Sequence, residues 1–273
     1  VLDQARKWIL EQGYPLEMRT AKIFREAGFE VQQGQLYKDG ASGKRREIDL
    51  VVISRDHIGV TRIFFAIECK SSKKPWVLFT SNVGTVGQDI FWTYSIMSEN
   101  ARKTLADRSW NDPDNPGVPP YLAMFDRLRW LQKKTETAYS FHQAFTETDT
   151  AYAALLASIK AASHLVRMKP SDGFPRFLLA FPLVIVDSPL LLCGLNSENE
   201  PEVRQVQSGE ILFTNPDQED DSTCIRVVTL DGLPDFISEA RIEIQKLRNE
   251  FRAEEAVVWR DYFGTEMPDH SNK

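Results

Sequence analysis

The sequence predicts an α/β protein with a mixed central β-sheet flanked by helices. Three observations carry this expectation. Residues 47–54 (EIDLVVIS) and 63–69 (IFFAIEC) are rich in β-branched and aromatic side chains and apolar on both faces, as strands covered by helices on each side are. Helical periodicity precedes this pair and returns well after it. Further strand-like runs then follow, an order of elements that suits one layered mixed domain.

Taken along the chain, residues 2–11 form a short first helix. Residues 15–27 form a second: Pro15 suits its first position, Leu16, Ile23, Phe24 and Ala27 make its apolar stripe, and Gly28 ends it. A strand is expected over 29–37, a glycine-containing turn over 38–44, the two strong strands at 47–54 and 63–69, and a turn between them at 56–59. Residues 89–107, 123–143 and the alanine-rich 149–166 read as helices, with a proline-rich loop over 110–120. Strands are expected at 177–186, 203–213 and 225–230, an exposed acidic loop at 217–221, and a long charged helix over 233–257. The whole reads as a single domain, 1–273, with its core in 1–76 and about 149–232 and a helical elaboration over about 84–145.

Composition narrows the function classes. Hydrophobic residues make up 42% and charged residues 26%, an ordinary soluble composition. The most apolar stretch, 177–195, is interrupted by Pro182, Asp187 and Pro189, so it reads as buried strand and no membrane segment is expected. Cys69, Cys193 and Cys224 are far apart and odd in number, which argues against a disulfide framework or a zinc cluster and fits a cytoplasmic setting. The net charge is −6, yet residues 38–74 hold nine basic against five acidic side chains, a local +4 that leaves −10 elsewhere. A basic segment on an acidic body suits a phosphate-binding face, and a solvated loop explains it equally well. The acidic remainder leaves room for a protein partner or a second copy, or serves solubility alone.

The candidate chemistry lies in that segment. Glu68-Cys69-Lys70 ends an apolar strand, and alternation sends Glu68 and Lys70 to one face and Cys69 to the other. Asp49 lies inside the preceding strand, between Ile48 and Leu50, close enough across a hairpin to converge with them. Composition alone predicts about two acid-x-lysine triplets and the chain has one, so the triplet itself carries no information. Its setting does, because burying these charges is costly without a partner. Two carboxylates and a lysine at a sheet end suit a hard cation of the magnesium type; a structural salt bridge of Lys70 with Asp49 or Glu68 is the plainer alternative.

A helix carrying Glu17, a strand with Arg46-Glu47-Ile48-Asp49 and a strand with Ile67-Glu68-Cys69-Lys70 together resemble the PD-(D/E)xK superfamily of restriction-endonuclease-like nucleases. The likeness covers residues 2–76, with 149–166 and the strand at Phe177 as closing elements of the core. Ile48 stands where the family name has proline. The resemblance implies a restriction-endonuclease-like core with a helical insertion after the third strand. It implies Mg²⁺, or Mn²⁺ in its place, held by Asp49, Glu68 and the Cys69 backbone carbonyl. Lys70 would orient or deprotonate the attacking water, and Glu17 would complete the catalytic set. The implied activity is phosphodiester hydrolysis, in DNA ahead of RNA, in bacterial defence or DNA processing. The rivals are an inert nucleic-acid-binding or assembly module on the same fold and a nuclease acting on RNA, since the site reads phosphate and not the 2′-hydroxyl.

Weaker signals surround this set. Lys44, Arg45, Arg46, Lys73 and Lys74 are candidate phosphate contacts, and Gln88 a candidate contact to substrate or water. Trp76, Trp92 and Trp110 are candidates for stacking on bases, although aromatics more often fill cores. His57, His142, His164 and His270 show no spacing that suggests a histidine-based nuclease.

Overall fold

In a computed structural model of the chain, residues 1–40, 42–54, 58–81, 96–110, 136–148, 150–168, 172–214 and 222–268 are described. Gly13, at φ 77°, turns the chain between helices α1 (Leu2–Glu11) and α2 (Tyr14–Glu26), and Pro15 sits in the first turn of α2, where no N–H partner is needed. An antiparallel meander follows, β1 (Glu30–Lys38), β2 (Arg45–Ser54) and β3 (Thr61–Lys70). Next come β4 (Trp76–Thr80), β5 (Ile96–Met97), α3 (Glu99–Trp110), β6 (Ala138–Gln143) and α4 (Ala151–Arg167). Then β7 (Phe177–Val186), β8 (Leu190–Leu195), β9 (Pro201–Val206), β10 (Ser208–Thr214), β11 (Ser222–Thr229) and the long α5 (Leu233–Phe263) complete the chain.

Among the described residues, eleven strands form one mixed sheet in the order β1-β2-β3-β7-β11-β10-β6-β4-β8-β9, with β5 paired to β7. Strand β7 is its spine. It runs parallel to β3 along its whole length, from Thr61↔Phe177 to Lys70↔Val186, and all ten of its residues are buried. A proline inside such a strand needs an explanation. The Phe177 N–H donates toward β3, to the Val60 carbonyl, whereas the Leu178 N–H donates away from β3, to Ser98 Oγ. By that alternation the nitrogen of Pro182 faces the edge away from β3. There β5 ends at Ala180 and β11 begins at Leu183, so the missing N–H falls in the gap between two partners.

The faces are covered differently. On one, α2 and α5 bring Leu16, Ala21, Phe24, Phe236, Ile244 and Phe251 onto Leu50, Val52, Phe65, Ile67 and Phe181. On the other, α4 spans two clusters. Its later turns pack Ala161, Ala162, Leu165 and Val166 on Tyr37, Ile48, Val51 and Ala66. Its earlier turns pack Ala151, Ala154, Leu155 and Ile159 against Trp76, Phe141 and Val184.

Several elements differ from expectation. Residues 138–143, read as the end of a helix, are strand β6, because Phe141 stacks on Trp76 (ring centroids 5.1 Å apart) and β6 pairs with β4. Strand β4 was not anticipated, and β8, the end of the apolar run 177–195 expected as buried strand, is a strand separate from β7; both are short apolar runs that give no period of their own. The helix expected over 89–107 begins at Glu99, after the two-residue strand β5; residues 82–95 lie outside the description, as do 111–135 and 215–221. The run 203–213 is two strands that meet at Gln207. Strand β9 lies at the far end of the sheet and β10 near its middle, so this half of the sheet rolls back on itself. Leu78 and Leu192 meet inside the roll at Gly209, where a Cβ would stand 2.4 Å from Leu78 Cδ1. Helix α5 continues past 257 to Phe263 because Tyr262 and Phe263 pack on Phe174, with centroids 4.9 and 5.2 Å away.

Candidate active site

The ladder between β1 and β2 keeps one register from Glu30↔Ile53 to Lys38↔Arg45 and lapses only opposite Asp49. The residue there is Gly34, at φ 61°, between the pairs Gln33↔Leu50 and Gln35↔Ile48. The pleat slips at this point. Strict alternation would put Ile48 beside Leu50; instead Ile48 joins Val51 under α4, while Leu50 and Val52 face α2. A side chain at Gly34 would be strained, and its Cβ would lie 3.0 Å from Glu47 Oε1.

On the other side of β2 the paired register stops at Leu50↔Ile67. Beyond it, Asp49 Oδ2 accepts the Cys69 N–H at 2.7 Å, taking the place of a ladder carbonyl. In an extended strand a residue's N–H and C=O point to the same edge, so the Cys69 carbonyl also faces the Asp49 side. Glu68, 9% exposed, accepts from Lys70 Nζ through Oε1 at 2.6 Å. Its Oε2 is buried without a hydrogen-bond partner. Glu17 reaches the same place from α2. Tyr14, Glu17, Ala21 and Phe24 share one stripe of that helix, and it runs from exposed Tyr14 to fully buried Phe24.

The electrostatics follow from crowding. Burial, then the charge of Asp49, push Glu68 up to about 7 against the pull of Lys70. Burial, then Asp49 and Glu47, push Glu17 to about 7 as well. Asp49 is raised by burial in spite of the Cys69 N–H and Lys70. Four carboxylates, Glu17, Glu47, Asp49 and Glu68, therefore share one ammonium, a deficit of positive charge at a point that buries a free carboxylate oxygen. That donor set fits a hard divalent cation. With one oxygen of Asp49 on Cys69 and one of Glu68 on Lys70, no three His, Cys, Asp or Glu side chains among the described residues are gathered tightly enough to hold an ion.

The Cys69 side chain turns the other way, as alternation requires, and packs on the α2 face with its Sγ 4.0 Å from Thr20 Oγ1. Burial drives its thiol well above the usual range, which disfavours the thiolate.

Of the expected phosphate contacts, Lys44, Arg45 and Lys73 are exposed. Arg46 is committed to Asp39 at 2.9 Å, and Lys74 donates to the Phe145 carbonyl. Gln88, Trp92, His57 and His270 lie outside the described residues, as does the side chain of Trp110. Trp76 is core, not a stacking surface, because the rolled half of the sheet closes over it.

Three features escaped the sequence reading. Asp187, at the end of β7, accepts from Ser71 Oγ (2.6 Å) and the Ser72 N–H (2.9 Å), and Arg19 of α2 stands 4.0 Å from it, so the turn after Lys70 is tied to β7. Asp39, 1% exposed, anchors Arg46 and, at 3.2 Å, Lys160 of α4. Tyr37 buries its hydroxyl without a hydrogen-bond partner on the α4 face, raised by burial, with Glu68 among the charges around it. Ser71, Ser72 and Lys160 reach these carboxylates from elements far along the chain, which no local signal announces, whereas the Ser42 N–H and Arg46 are near neighbours of Asp39 in the β1–β2 hairpin.

Comparison with family models, with curated proteins and with solved structures returned no match. Among the described residues no helix is long and apolar enough to cross a membrane.

Proposed function

We propose that this chain is a Mg²⁺-dependent nuclease with a restriction-endonuclease-like core, hydrolysing phosphodiester bonds in DNA. The observation that carries the reading is the convergence of Glu17, Asp49 and Glu68 with Lys70 at the end of β3, where the carboxylates are held at raised pKa and Glu68 Oε2 is left unpaired. The order β1-β2-β3-β7, with α4 crossing between parallel β3 and β7, supports the same reading, as these are the closing elements the resemblance asks for.

Asp49 and Glu68, with the Cys69 carbonyl, would hold the ion. Bound there, Mg²⁺ would supply Lewis acidity toward a phosphoryl oxygen and a nucleophile near neutral pH. Lys70 sets an ammonium beside Glu68, where it can orient a water and stabilise the negative charge that develops on phosphorus-bound oxygens. Glu17, near 7, is matched to accepting a proton from water at neutral pH. Water oxygen forms the new bond to phosphorus and the sugar oxygen leaves.

One observation favours a second reading. The Lys70–Glu68 pair at 2.6 Å is also what a structural salt bridge in an inert module would show. Cleavage of labelled DNA and RNA, in Mg²⁺, Mn²⁺ and EDTA, separates the two. Asp49→Ala and Lys70→Ala should each abolish metal-dependent cleavage with the fold intact by circular dichroism. Equal rates in EDTA and Mg²⁺, or wild-type rates in either purified variant, would overturn the assignment, and RNA cut in preference to DNA would move the substrate.

A further inference from the structure

Large apolar side chains exposed together mark surfaces that meet something. Such a group stands at the mouth of the candidate site. Trp8 of α1 and Tyr14, the first residue of α2, are 55% and 49% exposed, with ring centroids 6.3 Å apart and planes at 47°. Their position follows from the helix stripe that brings in Glu17. Phe24 and Ala21 are buried against the sheet, Glu17 lies near the charges of Asp49 and Lys70, and Tyr14 stands one turn earlier on the same stripe. The turn before it is seated close by, since a Cβ on Gly13 would stand 3.9 Å from Cβ of Ser71, the residue after Lys70. Arg6 and Lys7 stand exposed just before Trp8 on α1, and Arg19 donates back to the Pro15 carbonyl beside Tyr14, positive charge that suits a polyanion.

We propose that Trp8 and Tyr14 form a stacking platform for an unpaired base next to the phosphate held at the Asp49–Glu68–Lys70 site, so that the strand engaged is single-stranded at that point. The inference rests on the nuclease reading for its choice of polyanion. Both rings are about half exposed, and stacking on a ring suits any base and gives no sequence preference. Base pairs in a continuous duplex keep their faces stacked on each other, so a duplex offers this platform nothing until an end or junction frees a base.

The test is binding of the full chain, in Ca²⁺ to hold turnover, to a fluorescent oligothymidylate, to an abasic strand of the same length, and to the corresponding duplex. Wild type should prefer the oligothymidylate to both others. Trp8→Ala/Tyr14→Ala should weaken that binding by roughly 5- to 150-fold and leave the abasic strand unaffected, as loss of base stacking requires. Both residues are half-exposed, so circular dichroism and the thermal midpoint should stay at wild type. Equal affinity of wild type for the thymidylate and abasic strands would overturn the platform, and so would an equal loss for both in the variant. A variant that turns a dimer into a monomer with binding unchanged would make this face an interface between copies and equally overturn it. Failure of the nuclease reading looks different: no strand is cut in Mg²⁺ or Mn²⁺, while the thymidylate-to-abasic difference and its loss in the variant persist.

Discussion

Replacing Glu68 by Gln distinguishes a site built for a cation from a structural salt bridge, because the two assign opposite signs to the same change. Glu68 is buried, one oxygen is unpaired, and its pKa stands near 7 in the folded chain against 4.5 for the unperturbed group. With the folded pKa raised, the carboxyl is protonated in both states below about 4.5, and there it costs nothing. Between 4.5 and 7 the unfolded chain ionises while the folded one resists, so stability falls as pH rises, and above 7 the full penalty applies. At 1.36 kcal/mol per pKa unit, a separation of about 2.5 units amounts to about 3 kcal/mol at pH 8. Gln keeps the shape and an oxygen for Lys70 to donate to, and it carries no charge to bury. In EDTA at pH 8, Glu68→Gln should therefore raise stability by up to about 3 kcal/mol, a gain that vanishes by pH 4.5. For a chain of this size that is a rise in midpoint of several degrees. Urea unfolding of both proteins at several pH values in EDTA measures it, and Mg²⁺ should then stabilise wild type more than the variant. A variant less stable than wild type at pH 8 in EDTA would show that the Glu68–Lys70 pair holds the fold together, and the argument from a missing cation would collapse.

Glu17→Gln should, by the same pH linkage, be no less stable than wild type at pH 8 in EDTA, lower the maximal cleavage rate by roughly 10- to 1,000-fold and shift its Mg²⁺ dependence to higher concentration; superimposable Mg²⁺ titrations would remove Glu17 from the site. Asp39→Ala leaves Arg46 and the mostly buried Lys160 without their shared carboxylate, and should cost about 3 kcal/mol or more in urea unfolding. A loss below about 1 kcal/mol there would mean that α4 is held on the sheet by its alanine and leucine contacts alone.

Much of the first half was legible in the sequence because its signals are local. The strands holding Asp49 and Glu68 show themselves by apolar runs within a few residues of their observed bounds. Alternation along β3 correctly put Glu68 and Lys70 together, within 2.6 Å, and sent Cys69 to the opposite face. Glu17 was placed beside the apolar stripe of its helix by spacing alone, and the stripe does lead to the carboxylates. The second half was less legible. A run such as Leu190–Leu195 or Ala138–Gln143 takes its conformation from the strand beside it, and composition does not name that strand.

What the sequence by itself determined is which side chains carry charge on which element and on which face. Tertiary structure alone decided how those charges feel one another. The slip opposite Gly34 turns β2 so that Ile48 goes to α4, and Asp49 is left to meet the Cys69 N–H across the strand end. Asp187 ties down the turn after Lys70 from a strand more than a hundred residues away in sequence. Raised carboxylate pKa values, an unpaired oxygen on Glu68 and the pairing of exposed Trp8 and Tyr14 are properties of distance and burial. Those depend on how the elements pack, and no stretch of the chain read alone contains them.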